Sequence, residues 1–501
     1  MTHVETTTDL LVPQTVEAYE AALQDTVGRL GRHLRAVSHP SAGPCVDRTR
    51  GAVAAIDLDA PAVGLDLALD ELGPTYLDSA MHFHHPRYAA HLNCPVTIAG
   101  LAAELVAATL NSSMDTWDQS GGATHIEQAV VDWTCSRLGL TGGSGVFTPG
   151  GTTSNLQALL LARSEARAAG ARLEQLTVLA TEHGHFSVAK ACRALGLAHD
   201  AVVPVPVDTD GRMSPDELAR TIDHTRWSGR EVMAVVATAG TTDLGIVDPL
   251  RPIGEVCARA GAWLHVDAAY GGGLVTSTRH RCLLDGVDLA DSVTVDFHKT
   301  FFVPIGASAL VVARPRTLGH VTHHADYLNP AGCGLPNLVD RSMQTTRRFD
   351  ALKVWLTLRA VGADAIGRMI DEVIDLAHRV ADRVEAADDL ELHSRPTLST
   401  VVLRALPPDP DDRARFLRDP QLADDVTRCT RRLLLAQGRS IVAGTTLAGR
   451  AYLKLTLLNP AATDDDLAEV LDDVRRAARR ACDQVLLERG SRPVVLAGAR
   501  A

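Results

Sequence analysis

The residues most able to do chemistry in this 501-residue chain begin with a lysine, Lys299, in the run Asp296-Phe297-His298-Lys299-Thr300. The preceding residues, Ser292-Val293-Thr294-Val295-Asp296, read as a strand, so the amine is expected just past a strand's carboxyl end. There it can condense with an aldehyde. The chain has 49 Lys and Arg residues but only four lysines, at 190, 299, 353 and 454. A composition that prefers arginine for general positive charge points to an amine chosen because it can lose its proton. Asp267 ends a second apolar run, Trp263-Leu264-His265-Val266-Asp267, followed by the small residues Ala268 and Ala269. An aspartate there can hold a proton on a heteroaromatic nitrogen, and Ala269 lets a flat ring approach the backbone.

Three further segments complete a constellation. Thr148-Pro149-Gly150-Gly151-Thr152-Thr153-Ser154-Asn155 opens a helical run and offers backbone N–H groups to an anion. Thr181-Glu182-His183-Gly184-His185 follows another strand and places a ring near the same crevice. Thr238-Ala239-Gly240-Thr241-Thr242-Asp243 follows a third and supplies hydroxyls. An amine, a ring-nitrogen partner, a phosphate cradle and a stacking ring together describe a site for pyridoxal 5′-phosphate (PLP).

The elements that must position these residues alternate. Candidate strands at 176–180, 202–207, 232–238, 263–267, 292–296 and 308–313 are separated by helical stretches, one opened by the capping sequence Ser214-Pro215-Asp216-Glu217. That pattern predicts an α/β fold with a mostly parallel central sheet, helices on both faces, and ligands at the carboxyl ends of strands. Residues 14–36 have helical periodicity. After a helical stretch at 349–361 the pattern changes to helix, strands at 398–406 and 452–457, and a last helix capped by Thr463. The expected organisation is an N-terminal helical segment (1–95), a large domain (96–365) and a smaller α+β domain (366–501).

Composition bounds the rest. With 46% hydrophobic residues the chain can bury a large core. A net charge of -12 argues against a nucleic-acid partner. The nine cysteines are scattered without a CxxC pair, which favours a reducing cytoplasm over a disulfide scaffold or zinc site. The first eleven residues lack a secretory pattern, and no apolar run reaches the ~20 residues of a membrane span. The histidine-rich segments 81–85 and 323–326 lack the convergent spacing of a metal centre, so none is expected.

Over roughly residues 15–480 the chain resembles the group II pyridoxal-dependent decarboxylases, which include the aromatic amino acid, glutamate and diaminobutyrate enzymes. The His298-Lys299 and His265-Val266-Asp267-Ala268-Ala269 motifs carry the resemblance. Segments 85–95, 111–120, 344–355 and 442–460 are similar to the bacterial diamino acid branch, especially lysine decarboxylases of siderophore biosynthesis. The resemblance implies the fold type I architecture of PLP enzymes, with Lys299 as the Schiff-base lysine, His185 stacked on the ring and Asp267 at its nitrogen. It implies that Gly151, Thr152, Asp296 and His298 hold the phosphate, with Thr242 and Ala269 as further cofactor contacts.

It also implies a homodimer with the active site at the interface, in which residues 1–95 wrap the partner. The implied reaction is decarboxylation of an L-amino acid, with lysine to cadaverine leading. The alternatives are diaminobutyrate, ornithine or an aromatic amino acid, or a catalytically silent PLP fold. Substrate candidates are Cys94, Asp115 and Asp118 (acceptors for a distal ammonium), Tyr327 (a proton donor) and Lys454. The chain departs from the family pattern at Pro149 (usually serine), Val303 (usually polar), Leu338 (the catalytic tyrosine of aromatic decarboxylases) and Lys454 (arginine in the glutamate and aromatic enzymes).

Overall fold

A computed structural model describes residues 9–490 except Pro44 and Cys333. A seven-stranded sheet forms the centre, in the order Ser144–Thr148, Ser308–Val312, Ser292–Asp296, Trp263–Ala268, Glu231–Thr238, Leu176–Ala180, Val202–Pro204. The last five are mutually parallel, while Ser308–Val312 runs antiparallel to both of its neighbours. Most of these strands are buried on both faces, as their continuous apolar runs require. The strand foreseen at 202–207 stops at Pro204, because Pro204 and Pro206 have no N–H for a ladder.

Pairing brings the chemical residues to one end of the sheet. Thr238 is opposite Asp267, and Asp267 is opposite Thr294. Ser308 is opposite both Thr148 and Asp296, so the turn after Thr148 and the turn after Asp296 leave the sheet at one level. The first leads into the helix Gly151–Ala168 and the second into the short turn Phe297–Thr300 that carries Lys299. The helix Pro215–Trp227 begins as its sequence dictates, with Ser214 Oγ accepting from Glu217 N at 3.3 Å.

A second, five-stranded sheet has the order Tyr88–Ala89, Ile441–Leu447, Arg450–Thr456, Thr400–Ala405, Leu390–Leu392. Its outermost strand therefore comes from the N-terminal segment, paired parallel with residues 441 and 442. The helices Ala363–Glu385 and Asp464–Gly490 cover this sheet, the latter capped by Thr463 Oγ1 accepting from Asp466 N at 3.2 Å. Ala363–Glu385 serves two cores. Ile366, Ile370, Val373 and Ile374 pack into the core of the large sheet, and Leu376, Ala377, Val380 and Val384 into that of the small one.

Two buried cations pin the loops around the large sheet. Lys353 is 1% exposed, and its ammonium reaches Glu104 Oε1 and Asp350 Oδ1, both at 2.8 Å, and the carbonyl oxygens of Pro304 and Ile305. A compact ammonium suits such convergent acceptors where a planar guanidinium does not. This tether holds the chain just after Phe302, whose φ of 56° lies in the left-handed region. Arg347 pairs with buried Glu127 at 2.9 Å and donates to the carbonyls of Phe147 and Met114. Glu127 in turn accepts from Phe147 N, so the pair braces the strand that enters the Gly150-Gly151 turn.

Candidate active site

A cleft of ≈ 330 Å³ opens at the carboxyl end of the large sheet. Lys299, Asp267, His185, Asp296, His298, Gly151, Thr152, Thr242 and Ala269 all line it, joined by Leu92, Pro149, Asn155 and Tyr270. The five separate segments of the sequence thus converge on one crevice.

Lys299 Nζ lies 2.8 Å from Asp296 Oδ2. Asp296 is buried, and its Oδ1 has no hydrogen-bond partner among the described residues. Gly151 stands directly over this carboxylate. A Cβ on Gly151 would come within 3.0 and 3.1 Å of the two Asp296 oxygens and 3.2 Å of Ala269 Cβ, so a larger residue would push these neighbours back by a few tenths of an ångström. The first-turn N–H groups at Gly151 and Thr152 have no acceptor further back in their helix, which leaves them for an anion.

Asp267 is buried. Its Oδ2 accepts from Asn155 Nδ2 at 2.7 Å and its Oδ1 from Ala269 N at 3.1 Å. His185 is half-buried, and its Nδ1 faces Ser187 Oγ at 2.8 Å. Burial lowers the His185 pKa against the opposing pull of Asp267, so the ring is neutral at pH 7. His298 Nδ1 lies 2.8 Å from the carbonyl oxygen of Ala307, which requires the proton on Nδ1 and turns Nε2 towards Asp296 at 3.8 Å.

The substrate candidates do not gather around the cleft within one chain. Cys94 is buried behind the lysine turn, its Sγ 3.6 Å from the His298 carbonyl oxygen, and burial pushes its thiol up to about 12, so it stays protonated. Asp115 is buried and accepts from the N–H of Thr116, as a turn carboxylate does. Asp118 is exposed on the short helix Trp117–Ser120, and Tyr327 is 88% exposed. Leu338 is packed in the main core. Lys454 does reach the wall, with Nζ 3.2 Å from the Thr242 carbonyl oxygen and 2.8 Å from Asp243 Oδ1. Sequence reasoning gave no role to Asn155, Ser187 or His265. The first turns of this helix are mostly polar, with Ser154 and Gln157 buried as Asn155 is, so no residue pattern singled Asn155 out.

An amine, a carboxylate, a neutral imidazole and a glycine-lined helix start, all on one cleft, are the complement PLP needs. The family model for the pyridoxal-dependent decarboxylase conserved domain matches residues 70–406. The chain belongs to this family. Its relatives include an L-2,4-diaminobutyrate decarboxylase of Rhizobium meliloti (strain 1021), 42% identical with 92% of each chain covered. The enzyme of the same description from Acinetobacter baumannii is 34% identical, covering 94% of this chain and 95% of that one. Among solved structures, the glutamate decarboxylase domain of the diaminobutyrate-pyruvate transaminase and L-2,4-diaminobutyrate decarboxylase from Vibrio parahaemolyticus superimposes with a TM-score of 0.84 at 32% identity, covering 94% and 97%. Mouse CSAD gives 0.86 at 28% identity, covering 92% and 99%. This pyridoxal-dependent decarboxylase therefore has the α/β fold of the PLP enzymes, uses PLP as its cofactor, and acts as an amino acid carboxy-lyase.

Proposed function

We propose that this decarboxylase acts on L-2,4-diaminobutyrate, releasing CO2 and the corresponding diamine. The lysine-to-cadaverine expectation gives way to a shorter diamino acid. One observation carries the choice. Among the described residues no arginine lines the cleft, Lys299 in it faces Asp296, and Lys454, which reaches the wall at the Thr242 carbonyl, is compensated by Asp243. A substrate with a side-chain carboxylate would find no free positive partner there, whereas an ammonium meets a neutral-to-acidic wall. The cleft volume of ≈ 330 Å³ is near the lower end of the about 300–1,000 Å³ usual for ligand sites, and the cofactor shares it, which favours the shorter side chain. The two diaminobutyrate decarboxylases at 42% and 34% identity support the same reading.

Bound PLP supplies an electrophilic carbon for the substrate amine and a ring that draws electrons from the breaking bond. The chain's own groups supply the rest. Lys299 provides the amine, and Asp296 orients it. Asp267 is placed to hold a proton at the pyridine nitrogen. Gly151, Thr152 and His298 would hold the phosphate, with Thr242 and Ala269 as further cofactor contacts. His185, neutral and flat, would cover the ring.

Purified enzyme with PLP, offered diaminobutyrate, ornithine, lysine, glutamate and aromatic amino acids, should show the highest kcat/KM for diaminobutyrate. Each methylene in a pocket is worth about 1–3 kcal/mol, so lysine should trail at least roughly tenfold. Release of amine from aromatic or acidic substrates alone would remove this proposal.

A homodimer with the cleft at the interface is the second part of the reading. Residues 9–110 expose Val27 (67%), Ile98 (85%) and Leu110 (70%) among many other large apolar side chains, an area that a second copy would cover. Asp118 and Tyr327 would then face substrate only through such an assembly. Sedimentation should give twice the 53.3 kDa chain mass, and a monomer at micromolar concentration that remains active would refute it. A reducing compartment, the cytoplasm, is supported by eight free cysteines among the described residues, Cys333 lying outside them. No helix of the described residues is long and apolar enough to cross a membrane.

A further inference from the structure

Behind the cleft, away from solvent, polar side chains from two strands and two helices form one continuous chain of hydrogen bonds. Its direction can be worked out from the chemistry at each step. Trp263 Nε1 can only donate, and it lies 2.9 Å from Ser292 Oγ. The direction of the next step is set from the far end: the Asp267 carboxylate can only accept, so the Asn155 oxygen is turned towards His265 Nε2, and Nδ1 of the neutral ring is left to accept from Ser292 Oγ at 2.9 Å. His265 must then carry its hydrogen on Nε2, which faces Asn155 Oδ1 at 3.0 Å. Thr294 Oγ1 donates to the same oxygen at 2.7 Å.

With its oxygen doubly engaged, Asn155 turns both amide hydrogens the other way. One goes to Asp267 Oδ2 at 2.7 Å and the other to Ser187 Oγ at 2.9 Å. Ser187 Oγ then donates to His185 Nδ1 at 2.8 Å, and the Ser187 N–H points at the same nitrogen at 3.3 Å. A flipped Asn155 amide would set oxygen against the Asp267 carboxylate, so the orientation is unique. Asn155, Ser187, His265, Ser292 and Thr294 are all at most 1% exposed. Water cannot substitute for a missing partner at no cost in such a place. Burial also drives the His265 pKa down to about 4, in keeping with the neutral ring that this direction demands.

We propose that Asn155 is a positioning residue for decarboxylation: its amide fixes Asp267 as an ionised, acceptor-only carboxylate and, through Ser187, fixes His185 as the tautomer with its hydrogen on Nε2. One side chain thereby sets the proton positions of two separate groups that line the cleft. Asp267 receives donors on both oxygens, from Asn155 and from Ala269 N, and neither can accept a carboxyl proton. The remaining lone pairs are free for the ring nitrogen. His185 accepts at Nδ1, so its free edge is a donor. The inference rests on the placement of Asp267 and His185 beside PLP.

The test uses the PLP-loaded enzyme and reads the visible absorbance of the bound cofactor between pH 5 and 9, alongside kcat, KM and melting temperature. Asn155→Asp keeps the shape but sets a second carboxyl group against Asp267, so two carboxyls compete over one proton. The expected result is a midpoint of the absorbance titration moved by about one pH unit or more. With it, kcat should fall roughly 10–100-fold, the usual penalty for losing the partner that orients a primary group, while KM changes little. Ser187→Ala removes one oxygen: the hydroxyl contact to His185 is lost and one Asn155 amide hydrogen loses its acceptor, while the bond from Asn155 to Asp267 stays. It should shift the pH profile of kcat while leaving the absorbance titration as in wild type.

Wild-type titration and kcat in Asn155→Asp would overturn the proposal. So would a drop in melting temperature and activity with an unmoved titration, the mark of a purely structural residue. If Asn155→Asp does not fold, Ser187→Ala decides, and an unchanged kcat profile in it refutes the relay. Asp267→Ala is the control. A normal cofactor spectrum and activity in that variant would mean that the site assignment itself is wrong, a different failure from that of the relay.

Discussion

Lys299→Ala should yield a folded protein that releases no amine from any amino acid and retains no pyridoxyl label after borohydride reduction. The lysine is only partly buried, and its ammonium contacts Asp296 at 2.8 Å, so its removal leaves the core intact. What disappears is the amine itself. Loss of the covalent group in enzymes that work through one costs at least roughly four orders of magnitude in kcat. Peptide mapping of the reduced wild-type enzyme should place the label on Lys299. The other three lysines are committed elsewhere: Lys353 to Glu104 and Asp350, Lys454 to Asp243, and Lys190 over the ring of exposed Phe186. A label on any of them, or full turnover by the variant, ends this reading.

Asp267→Ala should bind PLP yet lose activity by on the order of 10²–10³-fold, the scale of removing one preorganised charge from the place where charge develops. The loss should sit in kcat, because the carboxylate would support the charge of the cofactor ring and not the incoming substrate. The variant also strands a donor, since Asn155 Nδ2 loses its 2.7 Å acceptor in a buried position, at a cost of about 1–3 kcal/mol in stability. A melt therefore belongs beside the kinetics. Unaltered kcat in a stably folded Asp267→Ala would remove the electron-sink role.

The first rank of the site was legible because strand ends and helix starts are legible. Lys299, Asp267 and Gly151 each follow a short apolar run, and in an alternating α/β chain such runs end on the same side. The relay behind them was not. Asn155, His265 and Thr294 meet only because a helix that begins after one strand packs over two others, and sequence periodicity says which face is buried, not which polar atoms meet there. The antiparallel direction of Ser308–Val312 was similarly hidden, since an apolar run carries no arrow. In the second sheet, Ile441–Leu447 went unnamed because Gly444 and two threonines break its apolar alternation. Substrate choice was least visible of all: the carboxylates picked for an ammonium, Asp115 and Asp118, lie away from the cleft of their own chain.

The helix Ala363–Glu385 has a consequence for how substrate gets in. Because consecutive turns of one rigid rod are embedded first in one core and then in the other, the two halves of the molecule cannot swing apart without bending that rod or dragging its apolar stripe into water. Entry and exit must be governed at the rim, by the segments bordering the crevice, and not by a jaw-like closure of lobes.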